Sequence, residues 1–151
     1  GAHRPARRRS RRIASRIATL RPAEVGLLVR MSVMLAALLV LQRVLSLPRL
    51  LAVFDPRTRR VASAPVSPDR LAWLTKSLLR VSFRDRYCMK QSVLLFHFLK
   101  KWGHPVRLHF GVAKHAEELT GHAWIELGGI PFAEQSDPRE AFQVTYSYPA
   151  P

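Results

Sequence analysis

The first long apolar segment of the chain covers residues 22–54, and its composition predicts helix. Pro22 suits a first helical turn, and the carboxylate of Glu24 suits the positive end of the helix dipole. The charge-free part, residues 31–41, has eleven residues, whereas a membrane span needs about twenty. We therefore expect a helix packed on the domain, with a helix lying on a membrane surface as the alternative. Pro48 should start or kink a second, shorter helix.

Two further helices are predicted before the first strand. Residues 55–68 contain three prolines and predict a linker. Apolar residues then recur at helical spacing over residues 71–81. The segment 86–102 is apolar on nearly all sides, which is typical of a central, buried helix. We expect Asp85 to be its N-cap and Gly103 to end it.

After Gly103 the apolar period changes from about 3.6 to about 2, which predicts strands. The predicted strands are residues 106–110, 122–127, 130–134 and 142–148. Residues 115–121 are polar and predict a loop, and Gly128-Gly129 predicts a hairpin turn. Helices followed by an antiparallel sheet define an α+β architecture, which is the expected fold class.

Composition and charge limit the class of protein. With 151 residues, 48% of them hydrophobic, the chain can bury a core. Its single cysteine excludes an internal disulfide framework and a cysteine-based zinc site. The formal charge of +15 lies mainly in the first 60 residues, which hold fourteen arginines and two acids. We divide the chain into a basic, flexible tail (1–20), a helical extension with its linker (21–68) and a domain (69–151). The tail is either solvated or binds RNA, DNA or anionic lipid.

The single cysteine is the first candidate for chemistry. If Asp85 caps the helix, Cys88 falls in the first turn, where unpaired backbone N–H groups and the helix dipole stabilise a thiolate. Arg84 and Arg86 add positive potential there. The same N–H groups can bind the oxyanion of a tetrahedral intermediate. The alternative is a buried apolar filler, the usual role of a free cysteine.

A nucleophilic cysteine needs a base from another element, and His122 at the start of a predicted strand is the candidate; a surface histidine is the alternative. The third group, which would orient the imidazole, depends on the hairpin loop. A three-residue loop places Glu134 opposite His122 on the same face. A two-residue loop pairs His122 with Gln135 and turns Glu134 away. We select Glu134 and keep Gln135 and Asp137 as alternatives.

The other histidines indicate no second chemistry. His97 lies in the apolar helix and is expected to be a core or edge residue. His104, His109 and His115 have no metal-ligand spacing, and His109 alternates outward from its strand, so no metal is expected. Trp124 shares the face of the candidate base and either lines a cleft or packs in the core. The sequence has no phosphate loop or dinucleotide fingerprint, so a nucleotide cofactor is not expected. Specific nucleic-acid binding is not expected either.

These residues resemble a known family. The resemblance lies in two runs, Tyr-Cys-Met-Lys-Gln-Ser-Val-Leu-Leu-Phe-His-Phe-Leu-Lys-Lys-Trp-Gly-His-Pro-Val-Arg-Leu-His-Phe-Gly-Val and Gly-His-Ala-Trp-Ile-Glu-Leu-Gly-Gly. They are similar to the transglutaminase-like cysteine peptidases that mature lasso peptides, the leader peptidases related to the C-terminal half of the microcin-processing B protein. The similarity covers about residues 70–148. The family usually has Asp at the position of Glu134, and commonly Asp-Gly where this chain has Gly128-Gly129.

The resemblance implies a papain/transglutaminase-like core with Cys88 as nucleophile, His122 as base and Glu134 at the acid position. It also implies removal of the leader from a ribosomally made lasso-peptide precursor in the cytoplasm, without a cofactor. Residues 1–60 lack the strand alternation of a fused leader-recognition domain. The chain therefore looks like the split form, whose expected partners are the precursor, a separate leader-recognition protein and, as a further candidate, a lasso cyclase.

Three other functions stay open from the sequence. The same acyl-enzyme attacked by an amine would make the protein an acyl transferase of the transglutaminase type. An inactive relative would be a basic binding module that docks RNA or a membrane, although membrane association is not favoured. Residues 25–54 hold more apolar side chains than a small domain can cover, which predicts docking of a partner protein there.

Overall fold

The structure, a computed structural model, describes residues 20–56, 64–83, 87–115 and 118–149. Its helices are α1 (Pro22–Leu41), α2 (Leu47–Phe54), α3 (Pro68–Ser82) and α4 (Cys88–Lys101). Its strands are β1 (Val106–His115), β2 (Glu118–Leu127), β3 (Ile130–Phe132) and β4 (Gln143–Tyr148), with a short 3-10 helix, Pro138–Glu140, before β4. The predicted α+β fold is confirmed. The predicted basic tail, apart from Leu20, lies outside the described residues.

The apolar segment 22–54 forms two helices. The chain turns after Leu41, and α2 begins with Ser46 at its N-cap position and Pro48 in its first turn. Proline is well placed there because the first turn of a helix has no use for its missing N–H. One face of α1 packs on the rest of the protein, as predicted.

The next two helices differ from the prediction at their starts. α3 begins within the predicted linker because the Ser67 hydroxyl accepts a hydrogen bond from the N–H of Arg70 at 3.3 Å, and Pro68 fits the first turn. α4 begins at Cys88 with Tyr87 at the N-cap position. The predicted cap, Asp85, lies outside the described residues.

α4 lies at the centre of the fold, as its apolar composition predicts. Helices α1, α2 and α3 and strands β1 and β2 all pack on it. Apolar residues of all four helices, such as Leu38, Leu51, Leu71 and Leu94, join Ile125 of β2 in one continuous core. The helical segment before residue 69 therefore shares its core with the sheet.

The four strands form one antiparallel sheet in the order β3-β2-β1-β4. β1 and β2 pair along their whole length, from Val106↔Leu127 to His115↔Glu118. The predicted loop at residues 115–121 is therefore wrong, because most of it belongs to β2. Residues 118–121 are exposed on both faces of the sheet. The buried/polar alternation that reveals a strand is absent there, although the backbone pairing continues.

The hairpin between β2 and β3 has a two-residue loop. Gly128 and Gly129 have φ values of 61° and 84°, and Leu127 pairs with Ile130. Left-handed values at both central positions match the twist of the flanking strands and favour glycine. Of the two loops considered, the structure has the two-residue one, and not the three-residue loop that places Glu134 opposite His122.

A charged cluster joins the end of α2 to α4 and β4. Lys100 Nζ lies 2.7 Å from Asp55 Oδ1, and the Tyr148 hydroxyl donates to Asp55 Oδ2 at 2.9 Å. Burial, together with the neighbouring Asp55 carboxylate, raises the pKa of Tyr148 to about 12. Asp55, in the predicted linker, thus has a fixed place between three elements.

Candidate active site

Cys88 is the first residue of α4 and is half-buried beside an open cleft of about 490 Å³. At this position the thiol lies next to backbone N–H groups that have no acceptor within the helix. The cleft is formed by α3, α4, β2 and the loop after β3, through Lys76, Tyr87, Cys88, Gln91, Gly121, His122, Ala133, Glu134, Gln135 and Ser136. Arg84 and Arg86, which the sequence placed near the thiol, lie outside the described residues.

The start of α4 packs on a sheet edge that β3 leaves free. β3 pairs with β2 only between Ile125 and Leu127, so Ala123 has no strand partner on that side within the described residues. Ser92 Oγ donates a hydrogen bond to the Ala123 carbonyl at 2.9 Å, and the backbone N–H of Ala123 helps to lower the pKa of the Cys88 thiol. The first turns of α4 thus substitute for a strand and bring the thiol next to His122.

The Cys88 thiol and the His122 ring shift each other's pKa. The hydrogen bond with His122 lowers the pKa of the thiol; burial opposes this effect, and the backbone N–H groups of Ala123 and Met89 add to it. Hydrogen bonds with Cys88 and then Glu134 raise the pKa of His122 to about 9. Both directions favour the thiolate–imidazolium pair over the neutral thiol and imidazole.

Glu134 lies on the other side of the imidazole, with its Oε2 3.1 Å from His122 Nε2. This contact leaves Nδ1 as the ring nitrogen that can serve the thiol. Continued pairing from the two-residue loop would place Gln135 opposite His122 and turn Glu134 away. Instead, β3 ends at Phe132, and Ala133 has a φ of 64°. The left-handed residue redirects the chain, so Glu134 reaches His122 by a route other than the predicted register.

The two alternative third groups do not hydrogen-bond to the imidazole in the part of the chain described. Gln135 lines the cleft. Asp137 accepts hydrogen bonds from the N–H and the guanidinium of Arg139, with Nη2 at 2.6 Å from Oδ2. Arg139 Nη1 also lies 3.6 Å from Glu126 Oε1 on β2. Asp137 is therefore paired with Arg139 at the cap of the short 3-10 helix.

The imidazole of His122 lies at the end of a stack of aromatic rings on one face of the sheet. Trp124 is fully buried between His109 and His122, with ring centroids at 5.5 Å and 6.0 Å and nearly parallel planes. Phe142 lies 5.1 Å from the His122 ring. The outward orientation predicted for His109 is wrong: the residue is buried, and its Nδ1 lies 2.8 Å from Ser147 Oγ. The stack covers a sheet face that alternation alone assigns to solvent.

Gly111 allows this stack to form. It lies opposite His122 on β1, and a Cβ atom at its position would lie 2.9 Å from Trp124 Cζ3 and 3.0 Å from the Gln143 carbonyl oxygen. Real Cβ atoms essentially never show the first distance, and the second is tighter than nine in ten real Cβ contacts, so only glycine fits without a shift of the ring or of β4. This residue was not predicted, because the predicted strand ended at residue 110; its one signal was a glycine directly after an alternating segment.

The other residues considered in the sequence lie away from the cleft or form no metal site in the described part of the chain. His97 Nδ1 lies 2.8 Å from the Phe54 carbonyl oxygen, as expected for a residue at the edge of the core. Within residues 20–56, 64–83, 87–115 and 118–149, no three His, Cys, Asp or Glu side chains are grouped as a metal site requires. Ser92 and Ala133 could not be predicted either, because a buried hydroxyl and a left-handed alanine leave no pattern in the sequence.

Comparison with known proteins identifies the class. The chain belongs to the transglutaminase-like superfamily, whose sequence model matches residues 27–147. The match includes Cys88, His122 and Glu134 and most of α1. Members of this superfamily typically use a catalytic cysteine, in peptidases as well as in acyl transferases. No curated protein and no solved structure is significantly similar to the chain.

Proposed function

We propose that this protein is a cysteine peptidase in which Cys88 is the nucleophile, His122 transfers the proton and Glu134 orients the imidazole. The observation that carries the proposal is the contact of one imidazole with a thiol at a helix start and with a carboxylate 3.1 Å away, all on one cleft. The lowered pKa of Cys88 and the raised pKa of His122 supply a thiolate and its proton donor together.

The reaction follows from these groups. The Cys88 thiolate adds to a peptide carbonyl, and the carbonyl electron pair moves to oxygen; backbone N–H groups at the start of α4 are placed to bind that oxyanion. The C–N bond then breaks as the His122 imidazolium gives its proton to the leaving amine, which leaves a thioester on Cys88. His122 next removes a proton from water, the hydroxide attacks the thioester, and the acid leaves as the thiolate forms again. Neither formation nor hydrolysis of the thioester needs a cofactor.

The proposed substrate is the leader of a ribosomally made lasso-peptide precursor. The support is the similarity of the runs around Cys88 and His122 to lasso leader peptidases, together with membership of the superfamily. On this proposal the enzyme acts in the cytoplasm with a separate leader-recognition protein, and a lasso cyclase uses the released core peptide.

The test is cleavage of a candidate precursor encoded beside the gene, with its recognition protein present. We expect two fragments whose masses sum to the precursor plus one water, and no fragments with Cys88→Ala. An alkylation assay of Cys88 runs in parallel. Full cleavage by Cys88→Ala would refute the peptidase mechanism. A reactive Cys88 without cleavage of any such precursor would refute the leader assignment but not the enzyme class.

Acyl transfer is the second candidate, because the superfamily includes acyl transferases that form the same thioester. An amine in place of water would give a new amide bond. Product mass distinguishes the two: a transferred acyl group adds the mass of the amine and releases no free acid.

A further inference from the structure

The outer face of α1 is apolar along its whole length. The residues on this face, which we call the valine stripe, are Val25, Val29, Val33, Ala36 and Val40. They are three or four positions apart and so form one line about 22 Å long on the helix surface. The four valines keep 48%, 58%, 66% and 64% of their surface exposed. The opposite face holds Leu27, Met31 and Leu38 in the core.

The residue types of the valine stripe differ from those of a helix face that is exposed to water. Such faces favour Lys, Glu, Gln and Ala, whereas valine is a poor helix former and gains nothing from exposure. The one hydroxyl beside the stripe, on Ser32, donates to the Leu28 carbonyl of its own helix at 2.9 Å. The most apolar part of α1 has a mean hydropathy of 2.1, yet only 33% of it is buried. We therefore expect an apolar partner to cover this face of α1.

Charge identifies the kind of partner. Arg21 and Arg43 are exposed at the two ends of the stripe, and Arg30 is exposed at its side. The first 21 residues hold eight arginines and no acid. The single acid of α1, Glu24, is buried and paired with Arg70 at 2.6 Å, so it does not offset these cations at the surface. An apolar line whose exposed charged neighbours are arginines is complementary to acyl chains bordered by phosphate and carboxylate groups.

We propose that the valine stripe, together with the arginines around it, docks the protein on the surface of an anionic lipid bilayer. RNA would bind the arginines through its phosphates but would leave the valines exposed to water. A second copy of this chain would cover the valines but bring the same cations face to face. A bilayer satisfies both features, because hydrophobic and electrostatic attraction act together at its surface.

α1 would lie in the interface and not span the bilayer, although it has the length and composition of a span. Its inner face belongs to the core that also holds α4, and spanning would strip Leu27, Met31 and Leu38 from that core. It would also separate the ion pair of Glu24 with Arg70. Docking uses only the face that is already free, and arginine side chains can extend to the headgroups.

The test is flotation of the full chain with phosphatidylcholine vesicles, with or without phosphatidylserine. We expect binding only to the serine-containing vesicles, and binding weakened about tenfold or more in the double variant Val29→Gln/Val33→Gln. Val81→Gln is the matched control, because Val81 on α3 is 77% exposed and lies outside the stripe. It should bind as the wild type does. Circular dichroism and the alkylation rate of Cys88 report whether each variant is folded.

Three outcomes would overturn the proposal. The first is absence of binding to the anionic vesicles. The second is equal binding by the wild type and the double variant, which would mean adsorption through arginines alone. The third is a lipid-independent dimer that Val29→Gln/Val33→Gln dissolves, because a second copy would then be the occupant. None of these outcomes depends on peptidase activity, so this proposal and the proposed function fail separately.

Discussion

Replacing Glu134 by glutamine tests the arrangement of the site most directly. The change keeps the size of the side chain and removes its charge, 3.1 Å from His122 Nε2. An opposite charge this close moves a pKa by roughly 1–3 units, and the partial exposure of both side chains favours the lower end. The pKa of His122, now about 9, should therefore fall by about one unit or somewhat more.

The consequence for the thiol follows from the shared proton. The ratio of the thiolate–imidazolium pair to the neutral pair falls about tenfold for each unit by which the pKa of His122 falls. Since the thiolate is the nucleophile, alkylation of Cys88 around neutral pH, where the two forms of the pair compete, should slow by up to this factor in Glu134→Gln. The midpoint of the pH–rate profile should move toward the value of an ordinary thiol, about 8.5.

The assay is the alkylation rate of Cys88 by iodoacetamide, followed by mass spectrometry from about pH 5 to 10. It needs no substrate. Asp137→Asn is the matched control, because it removes a carboxylate from the same loop without touching the imidazole. We expect it to leave the profile unchanged. The reasoning is refuted if Glu134→Gln leaves the midpoint where it is in the wild type, or if Asp137→Asn shifts it equally.

Three further predictions use neighbouring residues. Gly111→Ala should lower the free energy of unfolding by about 1–3 kcal/mol through its clash with the buried Trp124. Gly121→Ala, with no atom closer than 3.9 Å to the new Cβ, should cost far less in the same denaturant titration; equal losses would contradict the packing argument. Cys88→Ala should lower the pKa of His122 from about 9, measured by NMR titration, because the thiol contributes most to that rise; an unchanged value would exclude the ion pair. His122→Ala should abolish fast alkylation of Cys88 below about pH 8.5, since the thiol loses its cation; reactivity as in the wild type would mean that the helix start alone activates the thiol.

The ion pair also gives the folded state a pH dependence. The pKa of His122 is raised on folding, so its contribution to stability is complete below about pH 6.5 and is lost as the pH rises through about 9. The pKa of Cys88 is lowered, so its contribution is present above the unfolded value and is lost as the pH falls through the folded one. The pair is therefore at its most stabilising between the two folded pKa values.

The sequence alone was sufficient for the fold class and for the central position of α4. The period of apolar residues changes from that of a helix to that of a strand after Gly103, and that change is local information. The order of elements followed from it, because each element must bury its apolar face. Cys88 and His122 could be selected because a single cysteine near a helix start and a histidine at a strand start are both visible in the chain.

Only the tertiary structure decided how these residues meet. The contact between Glu134 and His122 depends on the left-handed Ala133 after a two-residue turn, and no periodicity records a single backbone angle. The burial of His109 and Trp124 is not visible in their own strands, because the stack meets Ser147 of β4 and Phe142 just before β4, which are distant in sequence. Sequence patterns encode which side chains avoid water along one element; they do not encode which distant segment covers them, because that choice is made by packing the whole chain at once.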